Sequence, residues 1–550
     1  MDGSNENSRP AVRGSPQTQG VSGGEPPAFP VVHSWYQDVV WCLIGSYFSI
    51  RPGKEAHKMA VQGYDSRLDK MFFPKSVAVV GASDVPAKWG NLILTSILGW
   101  KYRGRVFPVN PKKDTILGIK SYPSLKDIPE PVDLAVFTIP APLIPEGLRD
   151  CAAKGIQAAV IVSSGFREAG GEGVRLEREI LDAAREGGVL FIGPNTMGIS
   201  SAHHCFECMP APTAPGPGGL AVISQSGNLG LQLIKWIAHK EIGLAMYAGT
   251  GNETMLKACD LMQYLGSRDE VKVISMYIEG IEDGRKFGEV ARAVTRVKPV
   301  VALKAGRSES GSRAAQSHTG SMAGSFATYS AMFRQSGVIQ VMTPTDLINV
   351  SAAAAHLPIP RSNRVGIMTM GGGWGIIAAD ECEDSGLEIP QLPESVIREL
   401  DACLPRYWNR RNPVDVVGEN DAALYLKVIG TLARWEEIDS VIALGIVGRS
   451  RYVEDFIAAQ VRLDSKLYSR ELKLAVLKDQ VQTEERILSG VASLQKETDK
   501  PIVVVGLNEG GLRLADTSNG RVVYLSTPEE AVSILAHLSW YGRYLRESSR

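Results

Sequence analysis

The sequence predicts an α/β fold made of three successive units, each a parallel β-sheet covered by helices on both faces. Three observations predict it. The chain has 550 residues with 56 glycines, 44% hydrophobic and only 7% aromatic residues, a composition suited to Ala/Val/Ile sheets with tight strand-end turns. Short β-branched runs end in small or turn-forming residues and alternate with stretches of helical spacing, the pattern of βαβ crossovers. That alternation restarts after two Pro-rich breaks, APTAPGPGG (211–219) and LPIPRSN (357–363). A chain this long exceeds one ordinary domain.

Taken in order, the first unit opens with the strand SVAVVGAS (76–83) and a helix over Trp89–Trp100. GRVFPVNP (104–111), VDLAVFTIP (132–140), IQAAVIVSSGF (156–166) and GGVLFIGPN (187–195) are its further strands. Their carboxyl ends are small or turn residues, and such ends are where open α/β sheets bind ligands. The second unit reads GLAVISQSG (219–227), a helix from Asn228 to His239, GLAMYAGTG (243–251), VKVISMYIEG (271–280) and KPVVALKAG (298–306). The third begins at RVGIMTMGGG (364–373), continues through SVIALGIVG (440–448) and KPIVVVGLNEGG (500–511), and ends near Arg546. The predicted limits are 1–64 for a disordered tail and N-terminal extension, then 65–210, 218–358 and 362–546.

Charge and composition narrow the function. With 59 Lys plus Arg against 60 Asp plus Glu, the net charge of −1 argues against a bulk nucleic-acid binder. No apolar run reaches about 18 residues, so no membrane span is expected. Cys42, Cys151, Cys205, Cys208, Cys259, Cys382 and Cys403 form an odd, sparse set rather than a disulfide framework, which fits a reducing, cytoplasmic setting. The start MDGSNENSRP lacks the order of a signal peptide, and the first stretch, rich in Ser, Gly, Pro, Asn and Gln, reads as disordered. Residues 31–50, VVHSWYQDVVWCLIGSYFSI, read as an apolar helix packed on the body or on a partner, with membrane-surface attachment as the alternative.

Five segments bear on chemistry. GASDVPAKWG (81–90) is a strand-to-helix turn. It offers backbone N–H groups to a phosphate, with Lys88, Lys112 and Lys113 nearby, or it is a plain tight turn. Its Gly81-x8-Gly90 spacing is not GxGxxG, and no Walker A pattern occurs. SQSGNLG (224–230) is an anion nest or simply a capped helix start. KAGRSESGSRAAQSHTGSMAG (304–324) has little to pack a core with and reads as an exposed loop around His318. That histidine is a general base, a metal ligand, a phosphate acceptor or a surface residue. GTGNETM (249–255) carries Glu253 at a strand end, where a carboxylate orients an imidazole or caps a helix. HHCFEC (203–208) offers one CxxC without a matching pair, weak for metal or redox chemistry and compatible with a buried turn; no metal site is expected.

The ordered series GASDVPAKWG, FPVNPKK (107–113), SSGFREAG (163–170), GPNTMGI (193–199), SQSGNLG, GNE (251–253), SHTGSMAG (317–324) and RNPVDVVG (411–418) resembles the α subunit of NDP-forming acyl-CoA synthetases. These are enzymes of the ADP-forming acetyl-CoA synthetase type, related to succinyl-CoA synthetase. The resemblance covers roughly residues 65–545 and is most specific at the His318 loop, which is similar to the family's phosphohistidine loop. It implies a Rossmann-like CoA-binding domain followed by two flavodoxin-like domains of the succinyl-CoA-synthetase type. It implies interconversion of carboxylic acid, CoA and ATP with acyl-CoA, ADP and phosphate, through an acyl phosphate and phospho-His318, with Glu253 bonded to the imidazole. Coenzyme A is then expected at Gly81, Ser83, Lys88, Asn110, Lys112, the TIP turn with Ile139, Ser164 and Asn195. Phosphate is expected at Ser226, Gly227 and Asn228. No ATP-grasp pattern is visible, so ATP or ADP with Mg2+ is expected on a separate ATP-grasp β subunit in an α2β2 assembly. The size of the acid is expected to be set where the first two units meet. The alternative is a CoA-binding regulatory or scaffold homologue without catalysis, and a nicotinamide oxidoreductase is disfavoured by the missing GxGxxG.

Overall fold

Each predicted strand run is short and apolar on both faces, as a covered parallel sheet requires. In SVAVV, for instance, Val77, Ala78 and Val79 are fully buried. The computed structural model describes residues 65–211, 213–313, 325–419, 421–463, 470–507 and 510–548, all within one compact unit, Lys54–Arg550. The tail, the apolar segment 31–50 and residues 314–324 of the His318 loop lie outside the described residues; the loop's first part is not all exposed loop, because Lys304 is buried at the end of the strand Val300–Lys304 and residues 309–313 are helical.

The first sheet contains β1 (Ser76–Val80), β2 (Arg105–Val109), β5 (Leu134–Phe137), β6 (Ala158–Ile161) and β7 (Leu190–Ile192), with a small hairpin of β3 (Thr115–Ile116) and β4 (Ile119–Lys120) beside it. Its order is β2-β1-β5-β6-β7, parallel throughout. The second sheet contains β8 (Ile199–Ser201), β9 (Phe206–Cys208), β10 (Pro217–Ser224), β11 (Leu244–Gly249), β12 (Val273–Ile278), β13 (Val300–Lys304) and β14 (Ile339–Val341). The third contains β15 (Val365–Thr369), β16 (Val414–Asp415), β17 (Ser440–Leu444), β18 (Ile502–Val505), β19 (Arg513–Thr517) and β20 (Gly520–Leu525). The parallel parts of these two, β11-β10-β12-β13-β14 and β16-β15-β17-β18-β20, repeat the order of the first. Each sheet therefore has a switch point where the first strand's neighbours lead away to opposite sides, the usual place for a ligand.

The strands β8 and β9 leave the first unit and join the second sheet, pairing antiparallel with β11 and with each other. HHCFEC is divided between the turn that joins them, with His203, His204 and Cys205, and β9 itself. Cys208 is buried in β9 while Cys205 is exposed, His203 Nε2 lies 3.0 Å from Gly218 O, and the His204 ring packs 4.3 Å from that of Phe73. Among the described residues no three His, Cys, Asp or Glu side chains converge as a metal site. No helix among them is long and apolar enough to cross a membrane. The stretch 211–219 is not all linker, because β10 already starts at Pro217.

The units share cores. One cluster runs from Leu68, Met71 and Ile93 to Met262, Leu265 and Phe287, joining the first two units. Another runs from Leu220 and Leu233 to Val365, Leu512 and Tyr541, joining the second and third. Trp374 of TMGGGWG packs against this second cluster. The last helix, Pro528–Ser548, is bonded to the second unit by Tyr541 OH, which donates to Thr295 O at 2.5 Å.

Glu207 of β9 is 2% exposed. Its Oε2 accepts from Ser200 Oγ at 2.7 Å, its Oε1 has no hydrogen-bond partner among the described residues, and burial pushes its carboxyl up to about 8. A carboxyl with a higher pKa folded than unfolded stabilises the fold while protonated in both states, and that contribution is lost as pH rises through the folded value. The stability difference between wild type and Glu207→Gln, read from urea midpoints, is expected to move against wild type between the ordinary glutamate range and about 8. A difference that is flat across this window contradicts the assignment.

Candidate active site

The turn after β1 is built on two glycines. Gly81 has φ +91°, and its N–H donates to Val109 O at 3.0 Å. A Cβ on Gly81 would lie 2.8 Å from Thr138 Oγ1 and Ile139 Cγ2, and one on Gly90 would lie 2.0 Å from Gly81 O. The helix Trp89–Gly99 thus approaches the strand end more closely than a side chain permits, and aims its N-terminus into the turn. The Gly81-x8-Gly90 spacing is the path round this turn. Ser83 Oγ accepts from the Val85 N–H at 3.1 Å. Asn110 spends both ends of its amide locally: Nδ2 donates to Ala82 O and Oδ1 accepts from the Lys112 N–H, each at 2.9 Å. It ties the β2 turn to the β1 turn. Lys88 and Lys112 are exposed. Lys113 bonds Asp84 at 2.6 Å, and this bond, helped by the charge of Lys88, holds the Asp84 carboxyl below its ordinary range.

The turn after β10 opens the helix Gly227–His239. Ser226 caps it, accepting the Leu229 N–H at 3.5 Å, while the first helical N–H groups, at Gly227 and Asn228, have no intrahelical acceptor. A Cβ on Gly230 would lie 2.1 Å from Tyr247 OH, so this glycine lets the helix lie down on β11. Gln225 bridges the switch point of the second sheet: its Oε1 accepts from the N–H groups of Glu279 and Gly280 at 2.5 and 3.0 Å. Next to it stands Glu253, with φ +53° and 9% exposure. Burial raises its pKa, partly offset by the Gln225 and Thr250 side chains and by Lys257. Its Oε1 is buried with no hydrogen-bond partner among the described residues. A buried carboxylate oxygen in that state is an acceptor awaiting a donor.

The two turns face one open cleft of about 500 Å³. Of the predicted residues, Ile139, Ser164, Asn195, Ser226, Gly227 and Asn228 line it. Gly81 lies directly against Ile139. Ser83, Lys88, Asn110 and Lys112 occupy the adjoining turns outside the lining, and Glu253 stands beside the lining residue Gln225. His318 lies outside the described residues. Val162, Thr196, Met197 and Gln225 also line the cleft. Sequence reasoning missed them, although three sit inside the GPNTMGI and SQSGNLG motifs.

Behind the cleft the first two units interlock. Gly251 has φ +56°, and a Cβ there would lie 2.3 Å from Pro194 O. The Asn252 N–H donates to Pro194 O at 2.9 Å and the Thr254 N–H to Gly193 O at 3.2 Å. Thr196 Oγ1 donates back to Gly249 O. Glu177, 7% exposed, lies on the buried face of the helix Glu172–Glu186 and accepts from Asn252 Nδ2 at 3.0 Å, Thr254 Oγ1 at 2.7 Å and the Arg167 N–H at 3.1 Å. The Arg167 guanidinium donates to Asn252 O and pairs with Glu282 at 3.2 Å. The missed signal was Glu177 itself, a charge on the apolar stripe that includes Gly173, Ile180 and Ala184. Glu177→Ala strips one acceptor from three donors, so it is expected to destabilise the protein by roughly 3 kcal/mol in chemical denaturation. Unchanged midpoints would show that the interlock does not hold the units together.

Comparison with known proteins agrees with this geometry. The chain matches the family models described as CoA binding domain over residues 75–202 and succinyl-CoA ligase like flavodoxin domain over residues 217–354. It is 41% identical to the α subunit of acetate–CoA ligase (ADP-forming) II of Pyrococcus furiosus over 380 residues, 69% of this chain and 82% of that one. It is 40% identical over 377 residues, 68% of this chain, to acetate–CoA ligase (ADP-forming) I of Archaeoglobus fulgidus, of which it spans only 54%. The structure of dinucleotide-forming acetyl-coenzyme A synthetase 1 of Candidatus Korarchaeum cryptofilum, in complex with phosphate and ADP, superposes with a TM-score of 0.74 at 30% identity, covering 88% of this chain and 98% of that one. The chain belongs to the family of ADP-forming acyl-CoA ligases and corresponds to its α subunit.

Proposed function

We propose that this chain is the α subunit of an NDP-forming acyl-CoA synthetase that interconverts a carboxylic acid, CoA and ATP with acyl-CoA, ADP and phosphate. One observation carries the reading. The strand-end turns of a CoA-binding unit and the N-terminus of the Gly227–His239 helix face the same cleft, and the Oε1 of Glu253, without a hydrogen-bond partner among the described residues, is buried beside it. In this reading CoA lies along Gly81–Lys88, Asn110–Lys112, Ile139, Ser164 and Asn195, its phosphates near the exposed Lys88 and Lys112 and its thiol reaching the cleft. The limits 65–210, 218–358 and 362–546 are the proposed domains.

The chemistry follows from charge. His318, phosphorylated by ATP, rests its phosphoryl group against Ser226 and the N–H groups at Gly227 and Asn228 and offers it to the acid. A carboxylate oxygen attacks phosphorus, the N–P bond breaks, and acyl phosphate forms with His318 restored. The CoA thiolate then attacks the acyl carbon, the bond to the phosphate oxygen breaks, and phosphate leaves. The same N–H groups stabilise the charge that develops on the phosphoryl oxygens. Glu253 accepts the other imidazole N–H, fixing its tautomer and favouring the ring as nucleophile in the reverse direction. An imidazole phosphate keeps the transfer potential that a serine ester would lose. ATP or ADP and Mg2+, which neutralises phosphate charge when bound, belong in this reading to a separate ATP-grasp β subunit within α2β2. A cytoplasmic location accords with the free thiols of Cys151, Cys205, Cys208, Cys259, Cys382 and Cys403.

The test is labelling of the assembled complex with γ-labelled ATP and magnesium. Acid-labile, base-stable label is expected on the wild type, absent from His318→Ala and formed on the order of 100-fold more slowly in Glu253→Gln. Label that persists in His318→Ala overturns the carrier role. CoA binding with no label on an intact wild-type complex leaves a CoA-binding scaffold instead.

A further inference from the structure

We propose that Met197 sets the size limit of the acyl group that enters the cleft. The inference rests on the acyl-CoA synthetase reading and deepens it. Its starting point is the lining itself: among the described residues that line the cleft, none is Lys, Arg, His, Asp or Glu. An acid that takes the phosphoryl group held at the Gly227–Asn228 N–H groups is therefore met by dipoles, and whatever extends from its carboxylate meets uncharged walls. Met197 is the wall next to those N–H groups. Its Cε lies 3.0 Å and its Cβ 3.5 Å from the position a Cβ on Gly227 would take, so the thioether covers the first helical residue. The side chain is half-exposed and faces the cleft.

The backbone at Met197 has nowhere to go. On one side, the Asn195 N–H donates to Ser163 O at 2.9 Å, and Thr196 Oγ1 is bonded to Gly249 O. On the other, Gly198 donates its N–H to Thr196 Oγ1 at 3.0 Å, and a Cβ on Gly198 would lie 1.9 Å from Cys208 O. With the main chain held at both neighbours, the space beside the Gly227–Asn228 N–H groups is decided by the side chain at 197. Methionine is unbranched and yields to its contents, which gives a soft limit; a smaller side chain removes the limit and a rigid ring tightens it.

The test is a competition between monocarboxylic acids of two, four and six carbons, with the full chain assembled with its ATP-grasp partner, at saturating CoA and ATP with magnesium. Met197→Ala is expected to raise the kcat/KM ratio of the six-carbon to the two-carbon acid at least roughly tenfold, and Met197→Phe to lower it, in line with the discrimination that one or two methylenes support. Met197→Leu, which conserves volume, is expected to keep the wild-type ratio and serves if either other variant fails to fold. Wild type that makes acyl-CoA while Ala and Phe leave the ratio unchanged, or a Leu variant that shifts the ratio tenfold, overturns the role of Met197 and leaves the parent reading standing. Wild type that makes no acyl-CoA from any carboxylic acid overturns both.

Discussion

The site depends on the contact between two strand-end loops that belong to different sheets. Gly251 fits beneath Pro194 O because it has no Cβ, and that close approach lets Asn252 and Thr254 donate to the carbonyls of Pro194 and Gly193. Everything chemical hangs on this join. It brings Asn195 and Met197, from the first unit's last turn, to the helix start at Ser226–Asn228. It also fixes the left-handed residue Glu253 immediately after Asn252. The buried carboxylate of Glu177 satisfies the donors on both sides of the join, so the polar groups enclosed there are not left unpaired.

Around that join the chain uses one topology three times, with strand orders that place a switch point at the carboxyl edge of each sheet. It also repeats a device. Asn110 clamps the β1 and β2 turns together. Asn412, 6% exposed, ties the chain before β16 to the backbone of β15 itself, accepting from the Ile367 N–H and donating to Val365 O at 2.9 Å each. Asparagine suits both places because its amide matches a backbone peptide group, donor for acceptor. Two of the motifs, FPVNPKK and RNPVDVVG, thus each contain an asparagine that holds neighbouring backbone in shape.

Much of the fold was legible because its signals are local. Every strand segment named from the sequence contains an observed strand, since a buried parallel strand is a short apolar run between turn residues. β8 and β9 were not legible: three residues each, ISS and FEC, carry no periodicity and owe their pairing to β11. The helix start at Ser226 was readable from its cap. The Glu177 network was not, because its partners, Arg167, Asn252 and Glu282, lie far apart along the chain. Asn110, expected at the CoA site, also ties Ala82 O to the Lys112 N–H through its amide, a structural role that the sequence did not display.

One cleft is shared between the first unit and the helix start of the second unit. Hydrogen exchange of the full chain with and without CoA tests this most directly. Slowed exchange is expected at the turn 81–90, at the strand ends 138–140 and 163–165, and at 195–198 and 225–230 in the same titration, with one apparent affinity. Protection confined to the first unit, or protection of the first turn with none at 225–230, would contradict a single cleft.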